Sequence, residues 1–218
     1  MNKETVKSRI EQIGIIPAIR FSSAEDALFA VEAVANSGIP VAEVTMTTPG
    51  ALDAIATLAR NRPELIVGAG SIADVQTASR CLDAGAQFLT SPGFDLQTVE
   101  FAVKQNVVVL PGALTPSEIM AAWKAGSDFV KVFPCSLMGG PSYIRALKSP
   151  FPGIALIASG GVTERNTAEF ILAGAAGVGI GRDLISPEAV HRREPDWIRE
   201  LARRFLQIVR DARSRIAS

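Results

Sequence analysis

The amino-acid sequence predicts an α/β chain of eight strands, each followed by a helix, closed into a (β/α)8 TIM barrel with a short N-terminal helix. Three observations predict it. Short apolar runs alternate with amphipathic stretches from one end to the other, and eight such runs can be counted. A unit of helix, glycine and strand recurs as "NSGIPVAEV", "DAGAQFLTS", "KAGSDFVKV" and "LAGAAGVGI". The repeat is roughly 20 to 25 residues, which suits the compact end of that fold's size range. An open, doubly wound sheet is the alternative that the same alternation allows.

The elements follow in order. "MNKETVKSRIEQIG" is charged and amphipathic, and about a turn before Gly14 is expected to cap the barrel bottom. The strand runs are Gly14–Arg20, Val41–Met46, Leu65–Ser71, Gln87–Pro92, Val107–Ala113, Asp128–Pro134, Ile154–Gly161 and Ala176–Gly181, rich in β-branched and other apolar residues. Between the first two, "SAEDALFAVEAVANSG" is a helix that Ser23 can cap and Gly38 can end. "TPSEIMAAWKAG" carries Thr115 as N-cap, Pro116 in the first turn, Glu118 three residues after the cap, and Gly126 at the end. The last helix runs over Arg193–Ile216. With no linker or low-complexity segment, residues 1–218 read as a single barrel domain.

Composition excludes several classes of function. Lys plus Arg and Asp plus Glu both number 22, so charge gives no reason to expect nucleic acid or a membrane surface as partner. No apolar run approaches the ~20 residues that span a bilayer, and "MNKETVKSRIEQIG" lacks the apolar core expected of a signal peptide. Cys81 and Cys135 form no CxxC and have no histidine beside them, which suits a reducing, cytoplasmic setting and argues against a zinc site. His191 is the only histidine and is expected in a solvated loop beyond the last strand, so neither a Ser–His–Asp relay nor a His-rich metal centre is expected.

One lysine stands out. In "DFVKVFP", Lys131 sits inside an apolar strand, although lysine is almost never buried without a partner. Side chains alternate along a strand, so Phe129, Lys131 and Phe133 share one phase and Val130 and Val132 the other. On the second strand Glu43, Thr45 and Thr47 share a phase opposite Ala42, Val44 and Met46. If the aliphatic residues face the helices, Glu43 and Lys131 face each other inside the barrel. Such a pair can be merely a buried ion pair, yet buried pairs give little net stability. Desolvation among phenylalanines disfavours the ammonium, and a neutral amine is what a nucleophile requires. The reactive reading of Lys131 and Glu43 is therefore preferred. "ASGGV" and "GIGRDL" end the last two strands, where barrels often build phosphate sites from backbone N–H groups, with Arg182 as a charged addition. Cys135, just past its strand, is read as cavity wall.

The motifs "GIIPAIR", "EVTMTTPGAL", "VGAGSI", "GAQFLTSPG", "LPGALTPSE", "FVKVFP" and "SGGV" together resemble the 2-keto-3-deoxy-6-phosphogluconate (KDPG) aldolase family, which overlaps with 4-hydroxy-2-oxoglutarate (KHG) aldolases. The likeness runs over nearly the whole chain. It implies a (β/α)8 fold, a homotrimer, no metal or organic cofactor, and class I aldol chemistry on a phosphorylated 2-keto-3-deoxy sugar acid. By this resemblance Lys131 is the Schiff-base lysine and Glu43 the proton-transfer residue. Ser71 lies beside the pyruvyl carboxylate, Pro92 and Phe133 line the substrate, and Gly160, Gly161 and Gly181 form the phosphate site. Two departures matter. Familiar members carry a carboxylate-binding arginine where this chain has Thr47, and a serine where it has Arg182. Arg20, at the end of the first strand, is expected to take over the carboxylate, with Thr47 still counted among the substrate-binding residues. Ser159 stands where the family tunes stereochemical preference and points to the gluconate epimer.

The reaction so implied is cleavage of 2-keto-3-deoxy-6-phosphogluconate to pyruvate and glyceraldehyde 3-phosphate. A 4-hydroxy-2-oxoglutarate or 2-keto-3-deoxy-6-phosphogalactonate aldolase is the neighbouring alternative. Outside aldol chemistry stand a sugar-phosphate isomerase or epimerase barrel and a non-catalytic sugar-phosphate sensor.

Overall fold

In the computed structural model, which describes residues 1–217, the chain opens with helix α1 (Lys3–Ile13). Asn2 starts it, its Oδ1 accepting from Thr5 N at 2.9 Å, and Gly14 ends it in the left-handed region at φ 69°. At 11 residues α1 is longer than the single turn expected. The reason is packing: Val6 and Ile10, one turn apart, plug the barrel bottom against Ile16, Phe88, Phe129 and Ile157.

The (β/α)8 pattern then runs as predicted. The elements are β1 (Ile15–Ile19), α2 (Ala24–Ala35), β2 (Val41–Thr45), α3 (Ala51–Asn61), β3 (Ile66–Gly70), α4 (Val75–Asp83), β4 (Phe88–Thr90) and α5 (Leu96–Lys104). They continue as β5 (Val108–Leu110), β6 (Gly112–Ala113), α6 (Pro116–Lys124), β7 (Val130–Val132), a 3-10 turn at Cys135–Met138 and α7 (Pro141–Lys148). Last come β8 (Leu156–Ser159), α8 (Thr167–Leu172), β9 (Gly177–Ile180), α9 (Pro187–His191) and α10 (Pro195–Ala217). His191 therefore ends a short helix and does not lie in a loop, although it is solvent-exposed as expected.

All pairings are parallel, in the order β5-β4-β3-β2-β1-β9-β8-β7-β6. Because β5 and β6 are halves of one strand, the row closes on itself. Pro111 divides them, having no N–H to give to the ladder, while its carbonyl still accepts from Lys131 N at 2.9 Å. Below that break Asp128 holds the seam. Its Oδ2 accepts from Val109 N at 3.1 Å and pairs with Lys3 Nζ at 3.0 Å, and its own N–H donates to Val109 O at 3.2 Å.

Strand alternation sorts the apolar side chains into two cores. Phe129, Phe88, Val41 and Ile66 fill the lower barrel interior, while Val130, Val132, Ala42 and Val44 face the helices, the phases expected for β7 and β2. The caps also match. Ser23 Oγ accepts from Asp26 N, and Thr115 and Glu118 form a capping box behind Pro116. At the closing end Arg213 donates to Gln12 O at 2.6 Å, Glu11 O at 2.7 Å and Ala176 O at 2.9 Å, pinning α10 to α1 and to the entry of β9.

Ile10 is 1% exposed in this plug, and truncating a buried isoleucine costs about 2–5 kcal/mol. Ile10→Ala should lower the urea midpoint accordingly, with an unchanged denaturant slope. An unshifted midpoint would mean that α1 is an appendage and not part of the core.

Candidate active site

Lys131 occupies the middle of β7 with Phe129 before it and Phe133 after it on the same inward phase. Its Nζ lies 5.7 Å from the Phe133 ring centroid. Across the barrel, on β2, Glu43 turns its Oε1 to within 3.4 Å of that nitrogen. The two side chains are 12% and 5% exposed, and β7 and β2 stand on opposite walls, so closing the barrel is what brings the charges together. The anticipated pairing is thus present.

Glycine makes room for it. A Cβ at Gly70 would overlap the Glu43 carboxylate, and one at Gly179 would stand 2.8 Å from Ser159 Oγ. Neither glycine was singled out from the sequence. A signal existed, because Gly68 and Gly70 share the inward phase of β3 and inward glycines mark places where a neighbour's side chain must cross. At Gly68 the neighbour is the Phe88 ring.

Above the pair opens a cavity of about 370 Å³, within the usual range for small-ligand sites. Glu43 and Lys131 form part of its lining, with Ser71 and Pro92 on one side and Ser159, Gly160, Gly161, Gly181 and Arg182 on the other. Arg20 and Phe133 complete the expected set. Thr47 does not belong to it. It lies exposed beyond β2, its Oγ1 2.9 Å from Thr45 Oγ1, outside the lining. Cys135 is not wall either. It is buried in the helix-side core, where desolvation pushes its thiol up to about 11. Asp183 and Pro187, by contrast, line the cavity without having been foreseen. Leu184 N and Ile185 N both donate to Gly181 O at 3.0 Å, and this tight turn after β9 carries no periodic signal in sequence.

The two ends of the cavity differ chemically. Gly160 and Gly161 have φ of 85° and 79°, values that side chains resist. The Gly160 carbonyl accepts from Ser136 N at 3.1 Å, and the Gly161 carbonyl accepts from Ser136 Oγ at 2.8 Å and Asn166 Nδ2 at 3.0 Å. Since a trans peptide points N–H opposite to C=O, the N–H groups of Gly161 and Val162 point away from Ser136, and both residues line the cavity. Arg182 is exposed beside them, and Arg20 is exposed at the end of β1, between β9 and β2. Neither arginine has an ion-pair partner among the described residues. Also among the described residues, no group of three or more His, Cys, Asp or Glu side chains could hold a metal ion. The arrangement offers an amine that can add to a carbonyl, a carboxylate that can carry its protons, and cationic or N–H donors for a substrate's anionic groups.

Comparison with known proteins bears on this arrangement. Residues 6–201 match the family model described as KDPG and KHG aldolase. The chain is 34% identical over 212 residues to the 2-dehydro-3-deoxy-phosphogluconate aldolase of Pseudomonas aeruginosa, covering 94% of this chain and 96% of that one. It is 33% identical over 175 residues to the 2-dehydro-3-deoxy-6-phosphogalactonate aldolase of Escherichia coli, covering 79% and 85% respectively. Among solved structures it is similar to the KDPG aldolase from Legionella pneumophila with pyruvate captured as a covalent carbinolamine intermediate. The TM-score is 0.85 at 30% identity, over 91% of this chain and 96% of that one.

The Gly70 contact is open to a direct structural test. In a Gly70→Ala variant the new methyl takes the volume of the Glu43 carboxylate, so the crystal structure should show Glu43 in another rotamer and its contact with Lys131 broken. Retention of the pair in its present geometry would show that β3 yields instead.

Proposed function

Because the chain belongs to the KDPG and KHG aldolase family, we propose that it is a class I aldolase. It cleaves 2-keto-3-deoxy-6-phosphogluconate reversibly to pyruvate and glyceraldehyde 3-phosphate, with Lys131 as nucleophile and Glu43 as proton carrier. The observation that carries this reading is the 3.4 Å approach of Lys131 Nζ to Glu43 Oε1 at the floor of a cavity with anion-binding groups. A purely structural ion pair has no need of the open space above it.

The chemistry follows from the geometry. With its proton passed to Glu43, the Lys131 amine adds to the C2 ketone and forms a carbinolamine, whose hydroxyl leaves as water once Glu43 returns that proton. The protonated imine that results draws electrons from C3. As a base takes the proton of the C4 hydroxyl, the C3–C4 bond breaks, releasing the aldehyde and leaving an enamine. Glu43, through water, accepts that proton and returns it to C3. Hydrolysis of the imine then frees pyruvate and regenerates the amine. The imine is the electron sink, so Lys131 itself supplies the electrophile.

Substrate recognition divides between the cavity's ends. Ser71, Pro92, Phe133 and Arg20 hold the pyruvyl portion and its carboxylate. Gly160, Gly161, Gly181 and Arg182 hold the phosphate, and Ser159 contacts the hydroxylated middle. Arg182 also gives substance to a second reading, since a guanidinium there suits the distal carboxylate of 4-hydroxy-2-oxoglutarate, a substrate type that the family model's description includes. The barrel acts as one catalytic unit, assembled as a cytoplasmic homotrimer as the family resemblance implies. Its partners are small molecules, and no helix among the described residues is long and apolar enough to cross a membrane.

Two experiments test the proposal. Pyruvate followed by borohydride should leave a reduced adduct on Lys131, located by peptide mass. An adduct on Lys104, Lys124 or Lys148, or none at all, would sink the aldolase reading.

The second experiment separates the two ends. A lost charge-assisted hydrogen bond weakens binding roughly ten- to a hundredfold. Arg20→Ala should weaken pyruvate and the phosphorylated substrate alike, because both carry the carboxylate. Arg182→Ala should weaken the phosphorylated substrate alone. Since β1 lies between β9 and β2, the opposite outcome, with Arg20→Ala sparing pyruvate, would assign Arg20 to the phosphate end.

A further inference from the structure

One hydroxyl in the barrel interior has no partner. Thr90 closes β4 and is 1% exposed, and its Oγ1 makes no hydrogen bond to any described residue. Alternation sets its direction. Phe88 lies in the inner core and Leu89 in the helix-side core, so Thr90 returns to the inside. On one flank its register partner is Leu110 of β5, which is apolar. On the other flank Ala69 pairs with Leu89, which sets Gly70 of β3 beside Thr90. Gly70 has no side chain, and the Glu43 carboxylate fills the space where its Cβ would be. The Thr90 hydroxyl thus opens, across a glycine, toward Glu43. A buried hydroxyl without a partner is unfavourable, and each one in a native interior requires a physical reason.

We propose that Thr90 is a positioning residue for proton transfer: when the Glu43 carboxyl group turns away from Lys131, the Thr90 hydroxyl hydrogen-bonds it and holds it in line with the substrate's C3. The inference rests on the aldolase reading above. In the resting geometry Glu43 Oε1 is turned to Lys131 Nζ at 3.4 Å, and the Thr90 hydroxyl is left without a partner. Once Lys131 is taken up in the imine, a rotation about the Glu43 side chain lets the Thr90 O–H donate to the carboxylate, a charge-assisted bond that aligns the acceptor. When Glu43 later delivers its proton to C3 of the enamine, this donor is in place for the carboxylate that re-forms. Thr90 touches neither substrate nor Lys131, so its effect falls on proton transfer and not on binding.

Thr90→Val keeps the side chain's shape and removes the hydroxyl, while Thr90→Ser keeps the hydroxyl. The measurement is solvent-deuterium exchange into the methyl group of pyruvate, followed by NMR, which reads protonation of the enamine at C3. It is combined with kcat and KM for cleavage and with Tm. Thr90→Val should slow exchange and kcat roughly tenfold, the weight of one hydrogen bond to a charged group. KM should be unchanged and Tm equal or higher, because the variant removes an unpaired buried polar atom. Thr90→Ser should restore exchange. A Thr90→Val enzyme that exchanges at the parent rate, or a Thr90→Ser enzyme that stays slow, overturns the inference. Borohydride trapping keeps the two readings apart. A parent enzyme without the Lys131 adduct fails as an aldolase, whereas a trapped parent with an unaffected Thr90→Val variant removes only the role of Thr90.

Discussion

Two opposite charges stand 3.4 Å apart inside this barrel, and the design of the upper half follows from keeping them there. Removing an amine and a carboxylate from water costs more than their contact returns unless the surroundings are well matched. Phe129 and Phe133 shield the lysine from below and above, and Gly70 gives up its side chain so that the carboxylate can lie against the strand. The lower interior carries no such demand. There α1 drives Val6 and Ile10 among phenylalanines and isoleucines, and the barrel is closed to solvent as an ordinary apolar core.

Stability and chemistry are thereby separated along the barrel axis. At the N-terminal face the polar groups are committed to backbone and to each other. Arg213 serves three carbonyls, and Asp128 serves Val109 N and Lys3 at the point where Pro111 interrupts the ladder. At the C-terminal face the polar groups are open to a ligand. Ser136 and Asn166 draw the glycine carbonyls aside, and Arg20 and Arg182 have no carboxylate to neutralise them among the described residues. Lys131 belongs to both faces. Its backbone N–H continues the seam through Pro111 O, while its side chain enters the cavity. Strand closure and the placement of the Lys131 amine are in this way one structural event.

Much of this was legible before any coordinates. Period-two alternation in β2 and β7 separates aliphatic from ionisable residues, so the inward course of Glu43 and Lys131 follows from the chain alone. The capping box at Thr115 and Glu118 and the terminating glycines are local chemistry, readable within four residues. Other features were not readable. The three turns of α1 depend on how deep the barrel bottom is, which no local pattern near Met1 expresses. Thr47 shares a phase with Glu43 but lies beyond the end of β2, where alternation no longer aims a side chain. Cys135 similarly follows the strand end, and the 3-10 turn carries it into the helix layer. Asp183 enters the lining through a turn closed onto the Gly181 carbonyl, a contact without sequence periodicity.

By itself, then, the sequence determined the number and kind of elements, the phase of each strand, and the residue types available for chemistry. These depend on hydrophobic period, caps and turn residues, all of which act over a few positions. Tertiary structure alone decided distances between residues far apart in the chain. Glu43 and Lys131 are 88 positions apart and meet because the strands twist into a closed ring. Gly70 matters only because β3 lies next to β2, and Thr90 stands beside Gly70 only because β4 lies next to β3. A strand's own residues dictate which of its faces is apolar. Which side chain waits across the gap is set by its neighbours, and those exist only once the barrel has closed.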